Sequence, residues 1–138
     1  MLTLVVLLAP PAAARIGSPA ALHALVFRLP GKTNIGCLFT PKAGPVDAYL
    51  RCDVLSGLKP KPRGTCKFAW TGAEMSPKSD ARPACSGDTV YDPRVPVLAF
   101  GKTWKRGGFT CKSQQKGLTC TNRNEHGFFL AKTSWRIF

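Results

Sequence analysis

The chain has 138 residues with 20 Lys or Arg against 7 Asp or Glu, a formal net charge of +13, and it carries 13 Gly, 12 Pro and 6 Cys. That length admits one domain, or at most two very small ones. Hydrophobic residues at 44 % beside 20 % charged argue against wholesale disorder, and no collagen-like or heptad period is present.

Residues 1–14, MLTLVVLLAPPAAA, form an apolar run of signal-peptide length, with Ala12 and Ala14 at the small-residue positions of an A-x-A cleavage site. Cleavage after Ala14 starts the mature chain at Arg15, and every Lys and Arg lies at or beyond that residue. The Met1 amine is the sole positive charge before the apolar run, which is the expectation for a longer precursor. A membrane-spanning helix needs about 20 apolar residues, and Pro10, Pro11 and Arg15 interrupt this run too early. Residues 15–24, Ala/Pro/Gly-rich, read as a loosely ordered segment, and residues 25–138 as a single β domain.

Leu25–Leu29 (LVFRL) is the first expected strand. In TNIGCLFTPKAGPVDAYLRCDV (Thr33–Val54), a hairpin centred between Gly44 and Pro45 sets Cys37 opposite Cys52, Ile35 opposite Val54 and Phe39 opposite Leu50. Gly36, Leu38, Arg51 and Asp53 then point to the other face, the alternation of a half-buried antiparallel pair. LKPKPRGT (Leu58–Thr65) reads as a Pro-rich connector. GTCKFAW (Gly64–Trp70) reads as a strand with Cys66, Phe68 and Trp70 on one face, and TGAEMSPKSDARPA (Thr71–Ala84) as a polar loop. VPVLAFG (Val95–Gly101) is a further expected strand. In FTCKSQQKGLTCTN (Phe109–Asn122), a loop over Gln114–Gly117 sets Cys111 opposite Cys120, Ser113 opposite Leu118 and Phe109 opposite Asn122. GFFLA and SWRIF are the last strands, joined by a turn near Lys132 and Thr133. With no helical period of useful length, the chain is expected to be all-β, a small disulfide-stapled antiparallel sandwich or barrel built from hairpins.

An even cysteine count without a C-x-x-C pair favours disulfides over metal. Directly opposed antiparallel residues are close enough to bridge. The mirrored hairpins therefore pair Cys37 with Cys52 and Cys111 with Cys120, leaving Cys66 for Cys85. Disulfides and the N-terminal run together place the protein outside the cytosol, secreted to the cell envelope or beyond.

Asn34-Ile35-Gly36-Cys37, Arg51-Cys52-Asp53, Gly87-Asp88-Thr89, and Gly117-Leu118-Thr119-Cys120-Thr121-Asn122 followed by Gly127-Phe128-Phe129 resemble the motifs of an uncharacterised family of small exported bacterial proteins. The likeness runs from about Phe27 to Phe138. It departs at Lys32-Thr33, where the family pattern has Ser-Gly before the Asn, and at Ala131-Lys132, where it has Ser-Arg. The resemblance implies export and disulfides and carries no activity.

No nucleotide, cofactor or metal motif stands out; His23 and His126 are the two histidines. His126 with Asp53, Asp88 or Asp92 is the weak candidate for general-base catalysis in a small secreted hydrolase; the alternative is a structural turn histidine. Asp88 after Gly87 and Asp92 before Pro93 read equally as turn makers. The stronger lead is charge. Lys59, Lys61, Arg63 and Lys67 form a compact cationic strip. Trp104 with Lys105 and Arg106 sets a ring beside two cations, suited to stack on a sugar or base unless Trp104 belongs to the core. The expected function is a secreted, non-enzymatic binding protein for anionic cell-envelope polymers or an acidic extracellular protein, without cofactor. Sequence-specific nucleic-acid recognition is disfavoured by export and by the lack of a recognition helix.

Overall fold

The computed structural model describes residues 25–138; the expected signal peptide at 1–14, the 15–24 segment and His23 lie outside the described residues. Ten strands form two antiparallel sheets of five. The first runs β1 (Val26–Arg28), β2 (Ile35–Thr40), β3 (Tyr49–Val54), β4 (Ala69–Met75) and β5 (Arg82–Ser86), in sequence order. The second runs β6 (Thr103–Arg106), β7 (Phe109–Gln114), β8 (Gly117–Thr121), β9 (Gly127–Leu130) and β10 (Trp135–Ile137). Each sheet is a meander, and the long connection after β5 carries the chain from one to the other. The architecture is an all-β sandwich, the first of the two forms expected.

One buried cluster draws on the inner faces of both sheets. Ile35, Cys37 and Phe39 of β2 and Leu50, Cys52 and Val54 of β3 face Trp104, Phe109, Cys111, Leu118, Cys120, Phe128 and Leu130. Trp104 sits where the sheets meet, its ring 5.1 Å from that of Phe27 and 5.9 Å from that of Phe39. The two hairpins pair as the sequence mirror requires, Ile35 with Val54, Cys37 with Cys52, Phe39 with Leu50, Cys111 with Cys120 and Ser113 with Leu118. In β7–β8 the ladder ends at Thr110 with Thr121, one pair short of Phe109 with Asn122. Cys37–Cys52 and Cys111–Cys120 both bridge directly opposed residues with Cα atoms 4.1 Å apart, and Cys66–Cys85 is the third bond. No free cysteine remains.

Three expectations fail locally. Thr71–Ala84 is no polar loop, because its ends belong to β4 and β5. Gly72 lets β4 close on β3, where a Cβ would stand 1.9 Å from the Cys52 carbonyl, and Ala73 and Met75 are buried. The strand expected at Gly64–Trp70 starts only at Ala69, so Cys66 and Phe68 lie in the preceding loop and Phe68 is 65 % exposed. Val95–Gly101 forms no strand. Pro96 has no N–H to give a ladder, and the segment instead lies along β1, with one parallel bridge from Val97 to Arg28 and Leu98 inserted in the core.

The outer face of β2–β3, expected to be the open side of a half-buried pair, is covered as well. Residues 87–92 cross it, with Tyr91 packed on Gly36, whose missing side chain leaves 2.9 Å between a built Cβ and the Tyr91 backbone. Arg51 and Asp53 are thereby buried. Among the described residues no helix is long and apolar enough to cross a membrane.

Candidate anion-binding site

In a meander, alternate connections emerge at the same end of the sheet. The β2–β3, β4–β5, β6–β7 and β8–β9 connections therefore gather at one end of the sandwich, and with the end of β6 they bring four cations to a cleft of about 650 Å³: Lys42, Lys78 and Arg123 from connections and Arg106 from β6. Asp47 is the one carboxylate in its lining, and Phe39 with Pro41, Pro45 and Pro77 supplies apolar wall.

The cleft is built, not merely charged. Arg106 ends β6 with its guanidinium 5.6 Å from the centre of the Phe39 ring. Gly107 and Gly108 follow at φ +60° and +91°, the left-handed turn that glycine adopts without steric cost. A Cβ at Gly107 would strike the Phe39 ring and one at Gly108 would stand 2.6 Å from Arg123 Nε, so both glycines let arginine and aromatic groups close on the turn. Asn122, 7 % exposed, ties the neighbouring walls together. Its Nδ2 donates to the carbonyls of Ser76 and Ser79, its Oδ1 accepts from the N–H groups of Asn124 and His126, and the Arg123 N–H donates to the Pro77 carbonyl. That clamp sets Arg123 and Lys78 on facing loops.

Cations outnumber carboxylates in the lining of the cleft by four to one. Arg51, Arg82 and Arg94 are the lysines or arginines that pair with a carboxylate among the described residues. The four cleft cations have no such partner. Four cations around one cleft with an apolar wall favour entry of an anion.

The model of a family of unknown function, DUF6636, matches residues 2–138. The chain belongs to this family. No curated protein and no solved structure matches it.

The segments that carried the family likeness have structural work in this DUF6636 chain. Arg51-Cys52-Asp53 and Gly87-Asp88-Thr89 meet across 37 residues. Arg51 Nε and Nη2 donate to Asp53 at 3.1 and 2.7 Å, Nη1 donates to Asp88 Oδ1 at 3.0 Å, and Nη2 also reaches the Asp88 carbonyl. Burial alone would lower the Arg51 pKa, and the hydrogen bonds and charge of Asp53 outweigh it and raise it above the usual arginine value. Asn34, at φ +52°, carries the side-chain oxygen that accepts from Tyr91 Oη. Asn122 is the cleft clamp.

Most of the candidates read from the sequence are dispersed. His126 Nε2 lies 3.1 Å from Asp80, not near Asp53, Asp88 or Asp92: the first two hold Arg51, and Asp92 holds Arg94. The expected catalytic pairs are therefore not assembled. Trp104, 6 % exposed, belongs to the core and offers no surface ring for stacking. Strand alternation splits its cluster, because Lys105 points away while Arg106 emerges at the cleft rim. Lys59 and Lys61 line a separate hollow of about 530 Å³ with Phe68 and Trp70, beside the Lys59–Pro60 cis peptide. Arg63 and Lys67 lie on the same exposed loop, Lys67 Nζ being 5.9 Å from the Phe68 ring centre. Lys42, Lys78 and Arg123 carried no sequence signal, since they stand singly in three loops. Among the described residues no acidic, Cys and His cluster suits a metal ion.

Asp88 gives a pH test of this frame. A hydrogen bond from Ser86, then the hydrogen bond and charge of Arg51, hold its carboxyl below the usual range. A depressed folded pKa contributes stability above the unfolded value of about 3.9, lost as pH falls through the folded value. Urea midpoints at pH 7 and pH 3 should therefore fall further in the wild type than in Asp88→Asn. Equal losses would show that Asp88 adds nothing to acid sensitivity.

Proposed function

We propose that this protein is an exported, non-enzymatic binding protein that holds anionic polymers of the cell envelope, carboxylated or phosphorylated glycans, in the cleft formed by Lys42, Lys78, Arg106 and Arg123. The observation that carries the reading is that cleft, where three connections and the end of β6 each bring one cation and a single carboxylate stands among them. The net charge of +13 supports it, because such a field attracts polyanions at low salt. Export is supported by the apolar run ending in Ala12-Ala13-Ala14 and by three disulfides, which belong to oxidising compartments. Apolar wall beside the cations suits the C–H faces of sugar rings better than a bare ion.

The test is binding of the oxidised protein to polygalacturonate, a phosphorylated wall polymer, polyglutamate and a neutral glycan over a salt series. Affinity for the two anionic glycans should fall steeply with salt and be absent for the neutral one. Lys42→Ser/Lys78→Ser should weaken binding and flatten the log–log salt slope by about one per lysine removed. Salt-insensitive binding, or a double variant with the wild-type slope, would remove the cleft from the function. Preference for polyglutamate would transfer the site to an acidic protein partner.

A further inference from the structure

At the opposite end of the sandwich, the connections that precede β2, β8 and β10 converge on a second cleft. The 3-10 turn Gly31–Thr33 before β2 brings Lys32, the β7–β8 turn brings Lys116 and the β9–β10 turn brings Lys132. Together with Phe100, 40 % exposed, and buried Ile35, they enclose about 480 Å³, and no carboxylate lines it. Two of these turns are tied through β9. Gly117 has φ +149°, and a Cβ there would stand 2.3 Å from the Leu130 carbonyl, so the turn bearing Lys116 presses on the strand that leads to Lys132.

Resting on the anionic-glycan reading of the first cleft, we infer that the protein has a second anionic-glycan site at Lys32, Lys116 and Lys132, and bridges two polymer segments, one at each pole. Both poles combine cations from separate turns with an apolar ring, Phe39 at one and Phe100 at the other. Three ammonium groups lining one cleft without a carboxylate give it a positive potential, and a ligand carrying several anionic groups is drawn to it. The poles are separated by β2 and β7, six residues each, a span of roughly 20 Å at about 3.3 Å per residue. A short ligand therefore fills one cleft and leaves the other open. A long polymer held at both poles is cross-linked to its neighbours, and avidity follows without any further contact.

Two titrations separate the possibilities. Trigalacturonate, too short to reach both poles, should bind the oxidised wild type at two per chain. Lys32→Ser/Lys116→Ser/Lys132→Ser should reduce this to one per chain, as should Lys42→Ser/Lys78→Ser, all at an unchanged thermal midpoint. Long polygalacturonate should be precipitated by the wild type and bound without precipitation by either variant. One trigalacturonate per wild-type chain, abolished by Lys42→Ser/Lys78→Ser, would overturn the second site and leave the first intact. Two bound per chain in the Lys32/Lys116/Lys132 variant would also overturn it. Failure of the wild type to bind either ligand would overturn the anionic-glycan reading of both clefts.

Discussion

Reduction of the three disulfides should unfold this protein at neutral pH without denaturant. The bonds close loops of 15, 19 and 9 residues, each contributing about 3 kcal/mol by restricting the unfolded chain, together roughly 9 kcal/mol. That is comparable with the whole stability of an ordinary domain, about 5–15 kcal/mol. Two of the bonds, Cys37–Cys52 and Cys111–Cys120, lie in the core itself, one in each sheet. Dithiothreitol should therefore abolish the cooperative urea transition and shift tryptophan emission to the red as Trp104 leaves the core. A reduced protein that keeps its near-ultraviolet circular dichroism and its urea midpoint would mean that side-chain packing alone sustains the sandwich.

Asp53→Ala should cost about 3–5 kcal/mol, because it leaves the guanidinium of Arg51 buried without its principal counter-charge. Asp53 is 0 % exposed and accepts from Arg51 twice and from the Val90 N–H at 2.9 Å. The substitution thus also loosens the segment 87–92 that covers β2–β3. Asp88 stands in poorly, since its carboxylate is largely exposed and screened. The measurement is the urea midpoint of Asp53→Ala beside Arg51→Met/Asp53→Leu. The double variant should be the more stable, since an apolar pair removes the desolvation penalty together with the attraction. A loss below about 1 kcal/mol in Asp53→Ala would mean that water or Asp88 compensates Arg51.

Much of the fold is legible in local pattern. The alternation Ile35, Cys37, Phe39 against Leu50, Cys52, Val54 has one register that pairs all six with one another on the inner face, and the observed ladder is that register. Where the pattern is mixed the reading goes astray. Thr71–Met75 looks like loop because only Ala73 and Met75 in it are apolar, yet both face the core and Gly72 is required by the closeness of β3. Val95–Gly101 looks like strand because its residues are apolar, yet Pro96 denies it a ladder and leaves it a single bridge to β1. Asp53 and Asp88 look like free carboxylates because Arg51, which binds both, is 37 residues from Asp88. Trp104 beside Lys105 and Arg106 looks like one surface motif, and strand alternation sends its members to different sides.

By itself the sequence determined the all-β class, the register of both cysteine hairpins, the pairing of all six cysteines and the excess of positive charge. These depend on contacts between residues close along the chain, or on composition alone. The tertiary structure decided where that charge is concentrated. Lys42, Lys78, Arg106 and Arg123 are scattered over some eighty residues, and what unites them is that alternate connections of two facing meanders emerge at one end. Lys32, Lys116 and Lys132 meet at the other end for the same reason. Strand period and turn chemistry are properties of neighbouring residues, whereas the packing of one sheet on the other is a property of the whole chain.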